Sequence, residues 1–278
     1  MNTLEFSKMH GLGNHFMVID TTKQEILLTP EKIKYWASYQ TGVGFDQLMV
    51  ITHAPNSTID FGYRIFNRDG SEAEQCGNGV RCVARFINEK KLSSKKNLKL
   101  ASPFVIVDCE LQNDHNVTVN MGVPNFSPIS LPFLVHAQNK FYNLSMQGEG
   151  LSFGAVSIPN PHVILKSTDI HKMDLSKIGL FFNNHSDFPK GVNVGVMQLV
   201  NSKHIELRVF ERGAGETAAC GTNACAAVAI GLLWGILEKD VRVSLQGGDL
   251  FIKSTENNEL LMTGPAVTIF DGRIAYNE

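Results

Sequence analysis

Two segments, YRIFNRDGSEAEQCG at Tyr63–Gly77 and LRVFERGAGETAACG at Leu207–Gly221, align without a gap at a constant offset of 144 residues. Arg64 meets Arg208, Phe66 meets Phe210, Arg68 meets Arg212, Glu72 meets Glu216, Cys76 meets Cys220 and Gly77 meets Gly221, six identities in fifteen positions. Each segment opens on an alternating apolar stretch, passes through a glycine-containing loop and ends where a helical period begins. Two copies of one strand–loop–helix unit predict an α+β chain of two pseudo-symmetric lobes. The N-terminal lobe, 1–130, carries Cys76; the C-terminal lobe, 131–265, carries Cys220, and the last strand packs back on the first lobe. On this reading the two cysteines hold equivalent places across an active-site cleft between the lobes, where pockets commonly form.

The surrounding sequence fits. His204–Glu211 (HIELRVFE) sets Ile205, Leu207 and Val209 on one face, the pattern of a half-buried strand, and Asn116–Met121 and Asp60–Asn67 read similarly. Thr29-Pro30-Glu31 supplies a capping hydroxyl, a first-turn proline and an acid for a helix to about Tyr39. In Gly77–Glu89, Val80, Val83, Ala84 and Ile87 form one apolar stripe; Gly221–Ile236 is apolar nearly all round and is predicted as a central helix. Its uncharged run, Ala224–Leu237, is well short of the ~20 residues a membrane span needs.

Of 278 residues, 43% are hydrophobic and 19% charged, too apolar for disorder; the net charge of -2 gives no basic field for nucleic acid or anionic membrane. The lysines of Lys90–Lys99 read as a solvated turn. Met1–His10 lacks the apolar stretch of a secretory leader, and five cysteines are an odd number, so reduced thiols in a cytoplasm are expected.

Each matched cysteine precedes a helix start, follows a Glu at the same spacing, and is followed by small residues, Gly77-Asn78-Gly79 and Gly221-Thr222-Asn223. Free N–H groups and the positive dipole end of a helix stabilise a thiolate and an anion beside it. Two such thiols suit inversion at a carbon bearing hydrogen, a thiolate as base on one face and a thiol as acid on the other. Fixed donors in a site closed to water would have to support the carbanion. Cys82, Cys109 and Cys225 read as core residues. Metal is disfavoured, since Cys76/Cys82 and Cys220/Cys225 are not CxxC pairs and no HExxH occurs. Gly213–Ala218 satisfies GxGxxA, the dinucleotide fingerprint of an oxidoreductase, but too few residues follow it for a doubly wound domain, and Val241–Leu245 runs into Gln246-Gly247-Gly248 without a ribose-binding acid. A thiol redox protein cycling through a Cys76–Cys220 disulfide is a further alternative.

The chain resembles the diaminopimelate epimerase family along nearly its whole length. The resemblance rests on KMHGLGNHF near the start, GVGFDQ at 42–47, NRDGSEAEQCGNGVRC at 67–82, NPHVI at 160–164, GVNVG at 191–195, ERGAGETAACGTNACAA at 211–227 and GPAVTIFDG at 264–272. It implies two lobes, each a β-barrel-like sheet around a central helix, in a homodimer. It also implies cofactor-independent, two-base interconversion of LL- and meso-2,6-diaminopimelate, a small-molecule substrate. Carried over by position, Cys76 and Cys220 are the bases. Gly77, Asn78, Gly221 and Thr222 hold the carboxylate at the reacting carbon, and Glu211 holds its ammonium. His162 and Glu211 orient the cysteines. Arg212, Asn67, Asn160 and Asn193 read the distal amino-acid centre, and Asn14 and Gln47 complete the set. His10 packs its loop. The chain departs from the usual pattern at His15, where Asp is usual, at Ser157-Ile158-Pro159, where a Met-Gly pair is more typical, and at Asn223, where Gly is common. A proline- or hydroxyproline-racemase-like enzyme is the alternative within isomerases, though a ring substrate has no distant charged end for Arg212, Asn160 and Asn193.

Overall fold

The computed structural model describes residues 2–276. Its contacts divide the chain into two compact units, one formed by the residues up to Asn120 with those from Thr263 onward, the other by Met121–Met262.

In the first unit, β1 (Asn2–Gly11) and β2 (Asn14–Asp20) form a hairpin, and α1 (Pro30–Ala37) leads to β3 (Gln47–Thr52), parallel to β2. β4 (Phe61–Asn67) returns antiparallel; α2 (Gly77–Glu89) then crosses to β5 (Asn97–Ala101), parallel to β4. β6 (Ile106–Leu111) and β7 (Asn116–Asn120) continue as a meander. The last strand, Val267–Tyr276, pairs antiparallel along β1, and the Thr118 and Thr263 hydroxyls bond at 2.7 Å. α2 lies against β1, β2, β3, β6, β7 and that last strand, so the sheet curls around it. Its residues from Gly77 to Ile87 are all buried, Arg81 and Arg85 among them. A second cluster, with Trp36, Phe45 and Leu48, sits under α1.

The second unit repeats the plan. After β8 (Tyr142–Met146), β9 (Glu149–Ile158) and β10 (Asn160–Ser167) form the hairpin, and α3 (Leu175–Asn184) leads to β11 (Asn193–Asn201), parallel to β10. β12 (His204–Glu211) returns antiparallel, a short β13 (Gly215–Thr217) folds back on it, and α4 (Gly221–Trp234) crosses to β14 (Asp240–Leu245), parallel to β12 and paired with β15 (Gly248–Ser254). α4 lies against β9, β10, β11, β12 and β15. Burial of its Val228 and Ile230 contributes about 1.5–3 kcal/mol each. Gly235, at φ 74°, ends the helix in the left-handed cap that glycine adopts without strain.

Of the three predicted helices, α2 spans Gly77–Glu89 as read, and the other two end slightly earlier than their sequence patterns. α1 starts after the Thr29 cap as read, but stops at Ala37, and α4 stops at Trp234. The lysine stretch 90–99 is only partly a turn, because Asn97–Lys99 already belong to β5. Three of its five lysines pair with carboxylates: Lys90 with Asp271, Lys95 with Asp60 and Lys99 with Asp108.

The repeat has a structural cause at several of its six identities. Arg64 makes a two-pronged pair with Glu72 at 2.8 and 2.9 Å, and Arg208 makes the same pair with Glu216 at 2.8 and 3.0 Å. Each clip ties the strand to the loop that follows it, and Phe66 and Phe210 are buried beside it. The matched glutamates thus brace the loops before the cysteines. The GxGxxA segment is a hairpin turn in which Gly213 and Gly215 both have positive φ, 82° and 83°, before β13 runs back along β12. It is not a strand-to-helix phosphate loop.

Candidate active site

Both cysteines occupy the capping position of the helix that their sheet surrounds. In the first unit Cys76 is half-buried, and its sulfur accepts the Gly79 N–H at 3.4 Å, as a capping side chain does. The thiol donates to Asn14 Oδ1 at 3.7 Å. Gln47 Nε2 donates to Asn67 Oδ1 at 3.0 Å, and Asn67 Nδ2 donates to Ser71 Oγ at 3.1 Å. Asn78 is buried, and its Oδ1 accepts the buried Arg81 guanidinium at 2.9 Å; Arg81 also reaches the Gly77 carbonyl at 3.4 Å. The first turn of α2 is therefore pinned from inside the sheet, leaving the N–H groups at its end in fixed directions.

In the second unit Cys220 is buried and lies 3.3 Å from the Thr222 hydroxyl. Burial pushes its thiol well above the ordinary range, and the negative charge of Glu211 pushes it further. Glu211 Oε1 accepts the Thr217 hydroxyl at 2.6 Å. Asn193, at the start of β11, receives the Arg212 backbone N–H at 3.0 Å and donates to the Pro161 carbonyl at 3.1 Å. Arg212 is exposed, and its guanidinium is tethered to the Lys190 carbonyl at 2.9 Å. Among the described residues no carboxylate pairs with it.

His162 is fully buried, and its Nε2 bonds Asn160 Oδ1 at 2.8 Å. Burial first, and the Arg212 charge second, pull its pKa down to about 3, so the ring is neutral at ordinary pH. Within this unit its partner is Asn160 rather than Cys220. Gly221 is buried at the start of α4.

The strand registers extend the repeat beyond the aligned segments. Phe16 pairs with Gln47 as His162 pairs with Asn193, and Leu48 lies opposite Phe66 as Val194 lies opposite Phe210. Asn14 thereby corresponds to Asn160, Gln47 to Asn193 and Asn67 to Glu211, so the candidate site residues form two matched sets of one per strand. Sequence reading misses Asp46 and Thr217. Thr217 is the hydroxyl on Glu211; Asp46 accepts the Asn14 Nδ2–H at 3.1 Å. The available signal for Asp46 was its place in GVGFDQ, directly before Gln47.

The departures from the family pattern have local accounts. His15 replaces the usual acid beside Asp46, to whose carboxylate its backbone N–H donates at 2.8 Å. Ser157–Pro159 form a tight β9–β10 corner in which the Ser157 hydroxyl bonds the Pro159 carbonyl. Asn223 is buried against Gly195, where a Cβ would stand 2.3 Å from its Oδ1. The positions equivalent to Gly195 and Asn223 in the first unit are Met49 and Gly79, where a Cβ on Gly79 would stand 2.7 Å from the Met49 sulfur. The two units fill the same space between strand and helix from opposite sides.

A family model described as diaminopimelate epimerase matches residues 6–127 and 154–269. The chain belongs to the diaminopimelate epimerase family. Membership makes it an isomerase, and similar solved structures share the fold. A hydroxyproline epimerase from Agrobacterium vitis, solved with bound trans-4-hydroxy-L-proline, is 12% identical, with a TM-score of 0.71 over 99% of this chain and 93% of that one. A probable proline racemase from Agrobacterium radiobacter is 13% identical, with the same TM-score and coverage. A phenazine biosynthesis protein of the PhzF family from Bacillus anthracis is 16% identical, with a TM-score of 0.67 over 99% of this chain and 100% of that one. No helix among the described residues is long and apolar enough to cross a membrane.

Proposed function

We propose that this isomerase interconverts LL- and meso-2,6-diaminopimelate without a cofactor. One cysteine thiolate takes the α-proton, and the other cysteine's thiol returns a proton to the opposite face of the carbanion. The exchange leaves the first cysteine as thiol and the second as thiolate. The observation that carries the reading is the matched placement of Cys76 and Cys220, each capping the helix its sheet surrounds. A helix end offers donors to the carboxylate next to the carbanion and favours negative charge there.

Arg212 favours diaminopimelate as the substrate. Arg212 presents a tethered guanidinium with no carboxylate partner among the described residues, and its backbone N–H bonds Asn193. A guanidinium fork suits the carboxylate of a second amino-acid centre. Proline or hydroxyproline, the alternative drawn from the shared fold, has no such second end.

The test is made in D₂O with the reduced protein and LL-diaminopimelate, followed by proton NMR and chiral chromatography. Conversion to the meso form with deuterium at the inverted carbon alone supports the proposal. Turnover of proline or hydroxyproline in place of diaminopimelate assigns the alternative substrate. Exchange without inversion refutes the two-base scheme.

A further inference from the structure

The carboxylates in the matched sets are distributed unequally. In the second unit the charge of Glu211 raises the Cys220 thiol. Its counterpart Asn67 is neutral and bonds Gln47 and Ser71 instead. The first unit has its acid one strand over, at Asp46, where the second unit has Val192. Asp46 does not touch the thiol; it grips the residue that does.

We propose that Asp46 is a positioning residue for Cys76, acting through the side-chain amide of Asn14. A carboxylate only accepts hydrogen bonds, so the 3.1 Å contact from Asn14 to Asp46 Oδ2 must come from Nδ2–H. That sets the amide's orientation and turns Oδ1 to Cys76, where it receives the thiol proton. Turned over, the same amide would offer an N–H to the sulfur and favour thiolate. The carboxylate is itself held on both oxygens, Oδ2 by the His15 backbone N–H at 2.8 Å and Oδ1 by the Tyr39 hydroxyl at 3.1 Å. The Asp46 N–H bonds the His15 carbonyl at 2.9 Å and its carbonyl receives the Arg68 N–H at 3.1 Å, so its backbone is fixed too. Lys8, whose ammonium is buried against the Gly44 carbonyl, faces the carboxylate from β1. Around these lie the rings of His10, His15 and Tyr39 and the Arg68 guanidinium over Tyr39. Tyr63 on β4 and Cys82 on α2 are among the titratable groups that sense Cys76. The arrangement holds Cys76 as a thiol in the absence of substrate, the proton-donating form, while the Gly79 N–H stands ready to stabilise the thiolate once that proton has left.

The inference rests on Cys76 being an acid–base group, and its test uses no substrate, so it can fail independently of the epimerase reading. The pH dependence of Cys76 alkylation by iodoacetamide is followed by peptide mapping in the full chain, with Cys82 and Cys109 remaining unreactive as the control for an intact fold. Asp46→Ala is expected to lower the midpoint and speed alkylation roughly three- to tenfold at pH 7. Asp46→Asn keeps an oxygen for Asn14 and His15 while its new amide faces Tyr39, and is expected to stay near the parent. Asn14→Ala is expected to lower the midpoint as Asp46→Ala does, and adding Asp46→Ala to it should change the rate by less than about twofold. An unmoved midpoint in folded Asp46→Ala overturns the proposal. So does an Asp46→Asn protein that matches Asp46→Ala, since charge alone would then be responsible, or an Asp46→Ala effect that persists in full without Asn14. If Asp46→Ala exposes Cys82 and Cys109, Asp46→Asn and Asn14→Ala decide: no shift in Asn14→Ala overturns it.

Discussion

The exchange of large and small residues between the two units makes a quantitative test of their common plan. Gly79 sits in the first turn of α2, where an added Cβ would stand 2.7 Å from the Met49 sulfur, 2.9 Å from its terminal carbon and 3.2 Å from Phe16. Ordinary carbon contacts lie at about 3.5–4.0 Å, so the Met49 tip must retreat by roughly 1 Å in a fully packed interior. Such overpacking costs about 1–3 kcal/mol, offset by about 0.5–1 kcal/mol for replacing a helical glycine. Gly79→Ala should therefore destabilise by about 1–2 kcal/mol. Met49 is fully buried, and Met49→Ala should cost about 2–4 kcal/mol for the lost contacts and the cavity. In the double variant the new methyl has room, and its penalty vanishes. The double variant should then be more stable than the sum of the singles predicts by about 1–3 kcal/mol, the overpacking cost that it no longer carries. Urea denaturation of the four proteins, read by circular dichroism, measures this coupling. Strict additivity would mean that strand and helix do not share that space, and the parallel drawn with Gly195 and Asn223 would fail.

Other outcomes follow from the site. Cys76→Ser and Cys220→Ser should each lower epimerisation by at least about 100-fold with the fold unchanged by circular dichroism; near-parent turnover in either sinks the two-base scheme. Arg212→Lys should lose the fork that fits a second carboxylate, so discrimination against amino acids with one charged centre should fall, and an unchanged substrate profile speaks against that role. His162, with its pKa pulled down to about 3, binds its proton more readily in the unfolded chain. Its contribution to stability is therefore present above the ordinary imidazole value and lost as pH falls from about 6.5 towards the folded value. A ¹⁵N NMR titration should show a neutral ring down to pH 5, and a His162 signal titrating near 6.5 contradicts the burial argument. Buried thiols carry the opposite sign. Cys82 and Cys109 are pushed up to about 12, and Cys220 upward too, so the stability they contribute is complete below about 8.5 and declines as pH rises through the folded values. Thermal midpoints constant from pH 8 to 10.5 would exclude it.

The fold and the placement of both cysteines were legible because Tyr63–Gly77 and Leu207–Gly221 keep one offset from strand to helix. That offset does not hold upstream. Asn14 and Asn160, like Gln47 and Asn193, stand 146 residues apart, and the change by two hides their kinship from a gapless comparison. Glu72 and Glu216 were legible as a pair, but their role was not, since an acid before a cysteine looks the same in sequence whether it tunes the thiol or grips Arg64 and Arg208. Asp46 was harder still. It meets Asn14 because β2 and β3 run parallel, a contact across 32 residues that no local pattern records.

The pairing of the last strand with the first has a consequence during synthesis. Residues 267–276 leave the ribosome after everything between them and β1, so the outer edge of β1 must wait for its partner while some 250 residues are added. At about 5–20 residues per second the wait is roughly 13–50 s. Until that partner arrives, β1 is paired with β2 alone and presents a row of unpaired N–H and C=O groups, the kind of edge that recruits other chains. The nascent protein therefore carries an aggregation-prone edge at β1 until its last strand is in place.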